Sequence, residues 1–249
     1  MILLENIYVM FNKGTPLEKE ALKGIHLKID AGDFVTIIGG NGAGKTTLLN
    51  VLSGEVGVTR GKIKIQEKDV TRLSTEERAV YIGRLFQDPM VGTCSELTIE
   101  ENFALAYRRG EKRRLRPALT KKLKDYFKKE LVKLNMGLEN RMRDQMASLS
   151  GGQRQAVSLL MATLHPSQIL LLDEHTSALD PKMGERVMQL TQDLITQHGL
   201  TALMVTHSLH QALDFGNRTV LMQEGHIIRD LHGEERASLT PSDLIQLFK

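Results

Sequence analysis

Apolar residues along this chain switch between a period of two and a period near 3.6, and the switches mark out its elements. Residues 2–11 read as a strand, and 22–29 as another in which Ile25, Leu27 and Ile29 alternate with His26 and Lys28. Asn12-Lys13-Gly14-Thr15-Pro16 separates them. The turn 30–33 feeds an apolar run, Phe34-Val35-Thr36-Ile37-Ile38, and Lys62-Ile63-Lys64-Ile65 alternates again, which predicts a small antiparallel sheet beside a buried strand. Ser74 and Glu77 have capping-box spacing and start a short helix. A short strand over 82–86 stops before Pro89. From there to about residue 164 the pattern is helical, with a second capping box at Thr98 and Glu101 and with Leu123, Phe127, Leu131 and Leu134 on one face. Apolar strands return at 169–172 and 201–206. A helix from Pro181 to near Gly199 separates them, and another over 209–215 follows. A hairpin about Glu224-Gly225 and a last helix capped by Thr240, with Pro241 at its first position, close the chain.

Alternating βα units predict an α/β fold with a mostly parallel sheet. The expected division is a core from 1–87 and 165–249, carrying the antiparallel β subdomain, with a helical subdomain inserted over 88–164. At 249 residues and 41% hydrophobic content, one large domain or two intimately joined lobes with an ample core are expected, and disorder is not indicated. The 33 basic and 30 acidic residues nearly cancel, so net charge gives no reason to expect nucleic acid as a partner. The single cysteine, Cys94, excludes an intrachain disulfide, and the first residues lack a cationic leader; both favour the cytosol. No apolar run approaches the roughly 18 residues of a membrane span.

The candidate chemistry begins where the first buried strand ends. Gly39-Gly40-Asn41-Gly42-Ala43-Gly44-Lys45-Thr46-Thr47 fits G-x-x-x-x-G-K-[ST] between a strand and a helix, the context this phosphate loop requires. Its glycines lack Cβ atoms, so backbone N–H groups can converge on a phosphate at a helix N-terminus. Lys45 adds a point charge for the β- and γ-phosphates, and the Thr46 hydroxyl is a ligand for Mg²⁺. Asp173 and Glu174 close the strand at 169–172, at the sheet edge where open α/β folds keep ligands. Asp173 is assigned to the metal and Glu174 to the attacking water. Gln87, at the end of the strand at 82–86, can reach Mg²⁺ or that water and sits where the helical lobe begins. His207 tops another core strand and can donate to a γ-phosphate. Leu149-Ser150-Gly151-Gly152-Gln153 is a second helix start suited to an anion, with Ser150 as cap.

This ordered set closely resembles the ATP-binding subunits of ABC transporters, over nearly the whole chain. Residues 39–47 resemble the Walker A loop, Gln87 the Q-loop glutamine, and 149–153 the family signature letter for letter. Residues 169–173 resemble Walker B, Glu174 the catalytic carboxylate, 177–180 (ending in Asp180) the D-loop, and His207 the switch histidine. Phe11 falls where the family stacks an aromatic on adenine. The resemblance implies a P-loop NTPase with a RecA-like core, ATP and Mg²⁺ as cofactors, and hydrolysis to ADP and phosphate. It also implies a head-to-tail pair of copies, each ATP lying between Gly39, Asn41, Gly42, Ala43, Gly44, Lys45, Thr46 and Thr47 of one and Ser150, Gly151, Gly152 and Gln153 of the other, with Asp180 a further nucleotide-binding residue. The pair would sit on the cytoplasmic face of the membrane and drive a separate permease through a groove near Gln87, with an extracellular solute-binding protein as an indirect partner.

The run 172–177 is similar to ATPases of amino-acid importers, so uptake is favoured. The alternatives are an exporter of the lipoprotein or drug type and a non-transport ABC ATPase acting on nucleic acid or ribosomes. Two features depart from the common pattern. His175 stands where many relatives have proline, which is expected to leave the turn after Glu174 less constrained. Arg108, Arg109, Lys112, Arg113, Arg114 and Arg116, with Lys121, Lys122 and Lys124, form a basic run. It is expected to be a solvated face, with anionic lipid or an acidic permease loop as the functional reading.

Overall fold

A computed structural model describes residues 1–111, 117–164 and 167–248. The strands are β1 (Ile2–Phe11), β2 (Lys19–Ile29), β3 (Phe34–Gly39), β4 (Arg60–Ile65), β5 (Lys68–Asp69), β6 (Ile82–Leu85), β7 (Ile169–Asp173), β8 (Thr201–Val205), β9 (Arg218–Gln223) and β10 (His226–His232). The helices are α1 (Lys45–Ser53), α2 (Thr75–Arg78), α3 (Ile99–Tyr107), α4 (Lys121–Val132), α5 (Gly151–Leu164), α6 (Pro181–His198), α7 (Leu209–Asp214), α8 (Gly233–Ala237) and α9 (Pro241–Gln246).

The strands form two sheets, a four-stranded one ordered β2-β1-β4-β5 and a six-stranded one ordered β10-β9-β3-β8-β7-β6. The first is antiparallel throughout. In the second, β3, β6, β7, β8 and β9 run parallel and only β10 reverses. The inner strands β3, β7 and β8 are almost wholly buried, which is why they read as continuous apolar runs rather than alternating ones. The fold is the α/β P-loop NTPase architecture with an antiparallel β subdomain and helical parts.

Each face of the parallel sheet has its own core. Alternate residues of β3, β7 and β8, such as Ile37, Leu171 and Leu203, pack with α1 and the antiparallel sheet. The other set, including Leu170, Leu172 and Met204, packs against α5 and α6, and through α5 against α3 and α4. Between α3 and α4, Phe103 and Phe127 meet edge to face with centroids 5.4 Å apart. The α4 positions Leu123, Phe127 and Leu131 do face inward, with Leu134 just beyond the helix.

The expected helix caps are realised, with reciprocal boxes at Ser74/Glu77, Thr98/Glu101 and Thr240/Asp243. Several elements differ from the expectations. β2 begins at Lys19 because the register pairs Phe11 with Lys19 and Met10 with Glu20, a cross-strand constraint that alternation within 22–29 does not contain. β6 ends at Leu85, since the Phe86 carbonyl accepts from Gln155 Nε2 of α5 instead. The short helix α8 was not expected; Arg236 on it donates to the carbonyls of Ala212, Leu213 and Phe215 at the end of α7.

The basic run is not one solvated face. Arg109 is half-buried and donates to the Ala162 carbonyl and Ser167 Oγ, while Lys124 pairs with Glu100 at 2.7 Å. Lys112, Arg113, Arg114 and Arg116 lie outside the described residues.

Arg78, 2% exposed, ends α1 from a distance. Its Nη1 donates to the carbonyls of Val51 (2.6 Å) and Leu52 (3.0 Å), its Nε to Leu73 and its Nη2 to Thr71. Arg78→Met should leave these buried carbonyls without donors and cost about 3 kcal/mol of stability, read from the midpoint of urea unfolding at unchanged m-value.

Candidate nucleotide site

Parallel pairing assembles this site. Ile37 of β3 lies beside Val205 of β8, Val205 beside Asp173 of β7, and Leu172 beside Leu85 of β6. The strand ends and the segments that follow them, carrying Gly39, His207, Asp173 and Gln87, therefore leave the sheet along one edge.

The loop after β3 is shaped by glycine where nothing else fits. Gly42 and Gly44 hold φ of 79° and 100°, values that side chains strain to adopt. A Cβ on Gly39 would run into the Met222 carbonyl of β9, and one on Gly44 would sit 2.7 Å from the Ala21 carbonyl of β2. The Gly225 turn of the β9–β10 hairpin donates to the Ala43 carbonyl and accepts from the Lys23 N–H, so neighbouring strands hold the loop. Gly44 caps α1 with no side-chain hydrogen bond, leaving first-turn N–H groups for an anion.

Lys45 is buried and folds back onto the loop, donating to the carbonyls of Gly39 (2.8 Å) and Gly40 (3.1 Å). Burial holds its pKa below the ordinary lysine value, while the carboxylates of Glu174 and Asp173 oppose the shift. Asp173 is held above the usual carboxylate range, first by burial; Arg84 opposes this and Glu174 adds to it. Thr46 Oγ1 stands 3.5 Å from Asp173 Oδ1. A hydroxyl and a carboxylate are hard oxygen donors suited to Mg²⁺, and a site with so few protein ligands is one that phosphate oxygens and water would complete.

Glu174 is a non-glycine residue at φ 45°, a conformation of the kind that functional sites retain. Its Oε1 lies 2.6 Å from His207 Nε2, and both residues line a cleft of about 230 Å³. Phe11, Asn41, Gly42, Ala43, Gly44, Lys45, Thr46 and Thr47 line the same cleft. Lys19 on β2 is a further wall residue that sequence reading missed. Phe11 is 37% exposed, leaving its ring open for stacking.

The remaining expected residues stand elsewhere. Gln87 is exposed, and its Nε2 donates to Ser177 Oγ at 3.2 Å rather than entering the cleft. Ser150 and Gln153 form a reciprocal cap on α5, Ser150 Oγ accepting from the Gln153 N–H and Gln153 Oε1 from the Ser150 N–H. Gly151 has open space where a Cβ would stand. Asp180 caps α6 by accepting from the Met183 N–H at 3.1 Å.

Two features correct or extend the sequence reading. His175 does not loosen the turn after Glu174. It is 2% exposed, and its Nε2 meets Thr191 Oγ1 at 3.1 Å; Thr191 in turn donates to the Val187 carbonyl, so the turn is tied to the middle of α6. Burial pushes the imidazole down to about 4, which keeps it neutral. Arg84, missed in the sequence, packs over the Phe86 ring and bonds to Glu55 (2.6 Å) and Asn50 (2.6 Å), with Asp173 Oδ2 at 3.7 Å. A charged residue at the third position of an otherwise apolar strand was the available signal.

The phosphate loop, paired carboxylates and strand-top histidine on this sheet define a nucleotide-hydrolysing P-loop protein, and comparison with known proteins gives the family. The family model for the ABC transporter matches residues 22–177. The chain is 35% identical over its full length to the tyrosine transport ATP-binding protein of Clostridioides difficile (strain R20291), covering 99% of it. It is 35% identical over 99% of its length to the methionine import ATP-binding protein MetN of Streptococcus agalactiae, covering 69% of that protein. Among solved structures it is similar to a dimeric ATP-binding cassette in a post-hydrolysis state with ADP and phosphate (TM-score 0.80, 30% identity, covering 93% of this chain and 98% of that one). It is also similar to the ADP conformation of another ABC transporter cassette (TM-score 0.82, 27% identity, 100% and 98% covered). The chain belongs to the ABC transporter ATP-binding family and is an ATPase.

Gly44→Ala should weaken nucleotide binding by roughly tenfold or more, because the added Cβ strains a positive φ and meets the Ala21 carbonyl. Titration with a fluorescent ATP analogue reads this, with an unchanged far-UV spectrum as the folding control.

Proposed function

We propose that the chain is the ATP-hydrolysing subunit of an uptake system for an amino acid, attached peripherally to the cytoplasmic face of the membrane. The observation that carries the chemistry is Glu174 Oε1 held 2.6 Å from His207 Nε2 in the cleft that contains Lys45 and Thr46. Glu174 accepts a proton from water as the water oxygen bonds to the γ-phosphorus; the bond to the β,γ-bridging oxygen breaks, and ADP leaves with its electron pair. His207 orients that carboxylate and then donates to the γ-phosphate. Lys45 exchanges its loop carbonyls for phosphate oxygens, and Phe11 stacks on adenine. Mg²⁺ would be held by Thr46 and Asp173, with Gln87 joining once it leaves Ser177, and when bound it neutralises charge on the β- and γ-phosphates.

The exposed signature completes the site in trans. Two copies pair head to tail, so that Ser150 to Gln153 and Asp180 of one face the phosphates held by the other. ATP favours the closed pair because its γ-phosphate touches both halves, and hydrolysis removes that differential contact. The helical region 88–164 passes the motion to a membrane permease at the groove beside Gln87. An extracellular solute-binding protein delivers the amino acid. The amino-acid assignment draws on the tyrosine and methionine transport named for the two relatives. Among the described residues no helix is long and apolar enough to cross a membrane, so the permease is a separate chain in this reading.

Glu174→Gln should retain ATP binding and lose turnover by on the order of a hundredfold or more. With ATP and Mg²⁺ it should accumulate as a two-copy species in size-exclusion chromatography; wild-type turnover in this variant would remove Glu174 from the role. Gly151→Asp should fold with stability within about 0.5 kcal/mol of wild type, since the position opens to solvent, yet abolish the ATP-dependent pair. Pairing by the Gly151→Asp protein would place the second half-site elsewhere.

A further inference from the structure

The side chain of Gln211 does not do what its place at the start of α7 asks of it. Ser208 caps this helix, its Oγ accepting from the Gln211 N–H at 3.2 Å. A serine cap with glutamine three positions on has capping-box spacing, in which the glutamine side chain accepts from the N–H of the cap itself. Gln153 makes that return to Ser150 on α5. On α7 the Ser208 N–H donates instead to Thr206 Oγ1 (3.1 Å), which frees the Gln211 amide to leave its own helix. Its Oε1 accepts from Thr206 Oγ1 at 2.8 Å, and its Nε2 donates to Thr176 Oγ1 at 3.3 Å. Both threonines are buried, so these bonds are not readily exchanged for water.

Each threonine belongs to a segment that carries one half of the Glu174–His207 pair. Thr206 directly precedes His207, and Thr176 follows Glu174 by two positions. The backbone joins the two segments through the Glu174 N–H and the Val205 carbonyl at 3.0 Å, and beyond that bond the Gln211 amide joins them again. The His207 side chain is 48% exposed, so packing alone does not aim it at Glu174. Glu174 in turn holds a positive φ, which persists only where the surroundings over-determine it. His175 ties that turn to α6, and Thr176, through Gln211, ties it to α7. A helix start that gives up its own local bond for this bridge is a departure of the kind that functional sites show.

We infer that Gln211 is a positioning residue for ATP hydrolysis, its amide setting the spacing between the segment that carries His207 and the turn that carries Glu174. It is not among the residues lining the nucleotide cleft, so it acts through that pair and not on the nucleotide. The inference rests on the reading of Glu174 and His207 as the hydrolytic pair and adds the residue that aligns them.

The test is kcat and KM for ATP with Mg²⁺, measured on the full chain by phosphate release. Gln211→Met keeps the length of the side chain and the backbone N–H that Ser208 caps, and removes both amide contacts. Its kcat should fall about tenfold or more while KM stays within about twofold, because misalignment slows the chemical step without loosening the nucleotide. Thr176→Val removes the far end of the bridge in a side chain of the same shape and should show the same split, so the outcome does not hang on one variant. In a His207→Ala background Gln211→Met should cost less than about twofold, since no pair is left to align. Wild-type kcat in Gln211→Met or in Thr176→Val would overturn the inference. So would an equal loss with and without His207, which is what a purely structural amide would give. Wild-type turnover by Glu174→Gln would instead sink the reading beneath it.

Discussion

Parallel pairing of β3 with β8, and of β8 with β7, is the constraint on which everything else depends. It brings Lys45, Asp173, Glu174 and His207, up to 162 positions apart in sequence, onto one sheet edge. A slip of one residue in either pairing would turn inward-facing side chains to the opposite core and displace Asp173 from Thr46. The buried runs of β3, β7 and β8 resist such a slip because each face of the sheet has its own apolar partner. One is the antiparallel sheet with α1, and the other is the helices.

The charges at that edge are held in a balance that a triphosphate would change. Lys45 is satisfied by loop carbonyls, Asp173 is shared between Thr46 and Arg84, and Glu174 is matched by His207. Each of these contacts can be exchanged for a contact to phosphate, metal or water without leaving a buried group unpaired. The positive φ of Glu174 stores backbone strain at the residue that faces the scissile bond in the proposed chemistry. His175 and Thr191 fasten the following turn to α6, whose N-cap is Asp180. Glu174 and Asp180 are thereby carried by one braced segment.

A second theme is the helical region, which has an apolar interior of its own. The aromatic contact of Phe103 with Phe127 and the inward face of α4 give the region an apolar interior. Beside α3 and α5, Arg109 Nη2 donates to the Ala162 carbonyl and Ser167 Oγ, while Arg109 Nε and Ser158 Oγ have no partner among the described residues.

By itself the sequence determined the local features: which runs are strands, where Ser74, Thr98 and Thr240 cap helices, and that a glycine-rich loop joins the first buried strand to a helix. These follow from short-range causes, namely side-chain periodicity, cap geometry and the freedom of glycine. Gly199, at φ 58°, ends α6 at the place its position in the pattern predicted. Only the tertiary structure decided the extension of β2 to Lys19, the position of Gln87 against Ser177, the burial of His175 and the partial burial of Arg109. A histidine after an acidic pair reads as a surface turn until Thr191, 16 positions away, hydrogen-bonds its ring nitrogen. An arginine in a basic run likewise reads as solvated until α5 covers it. Polarity is legible along a chain, but the partner that makes burial tolerable is chosen by packing between distant segments.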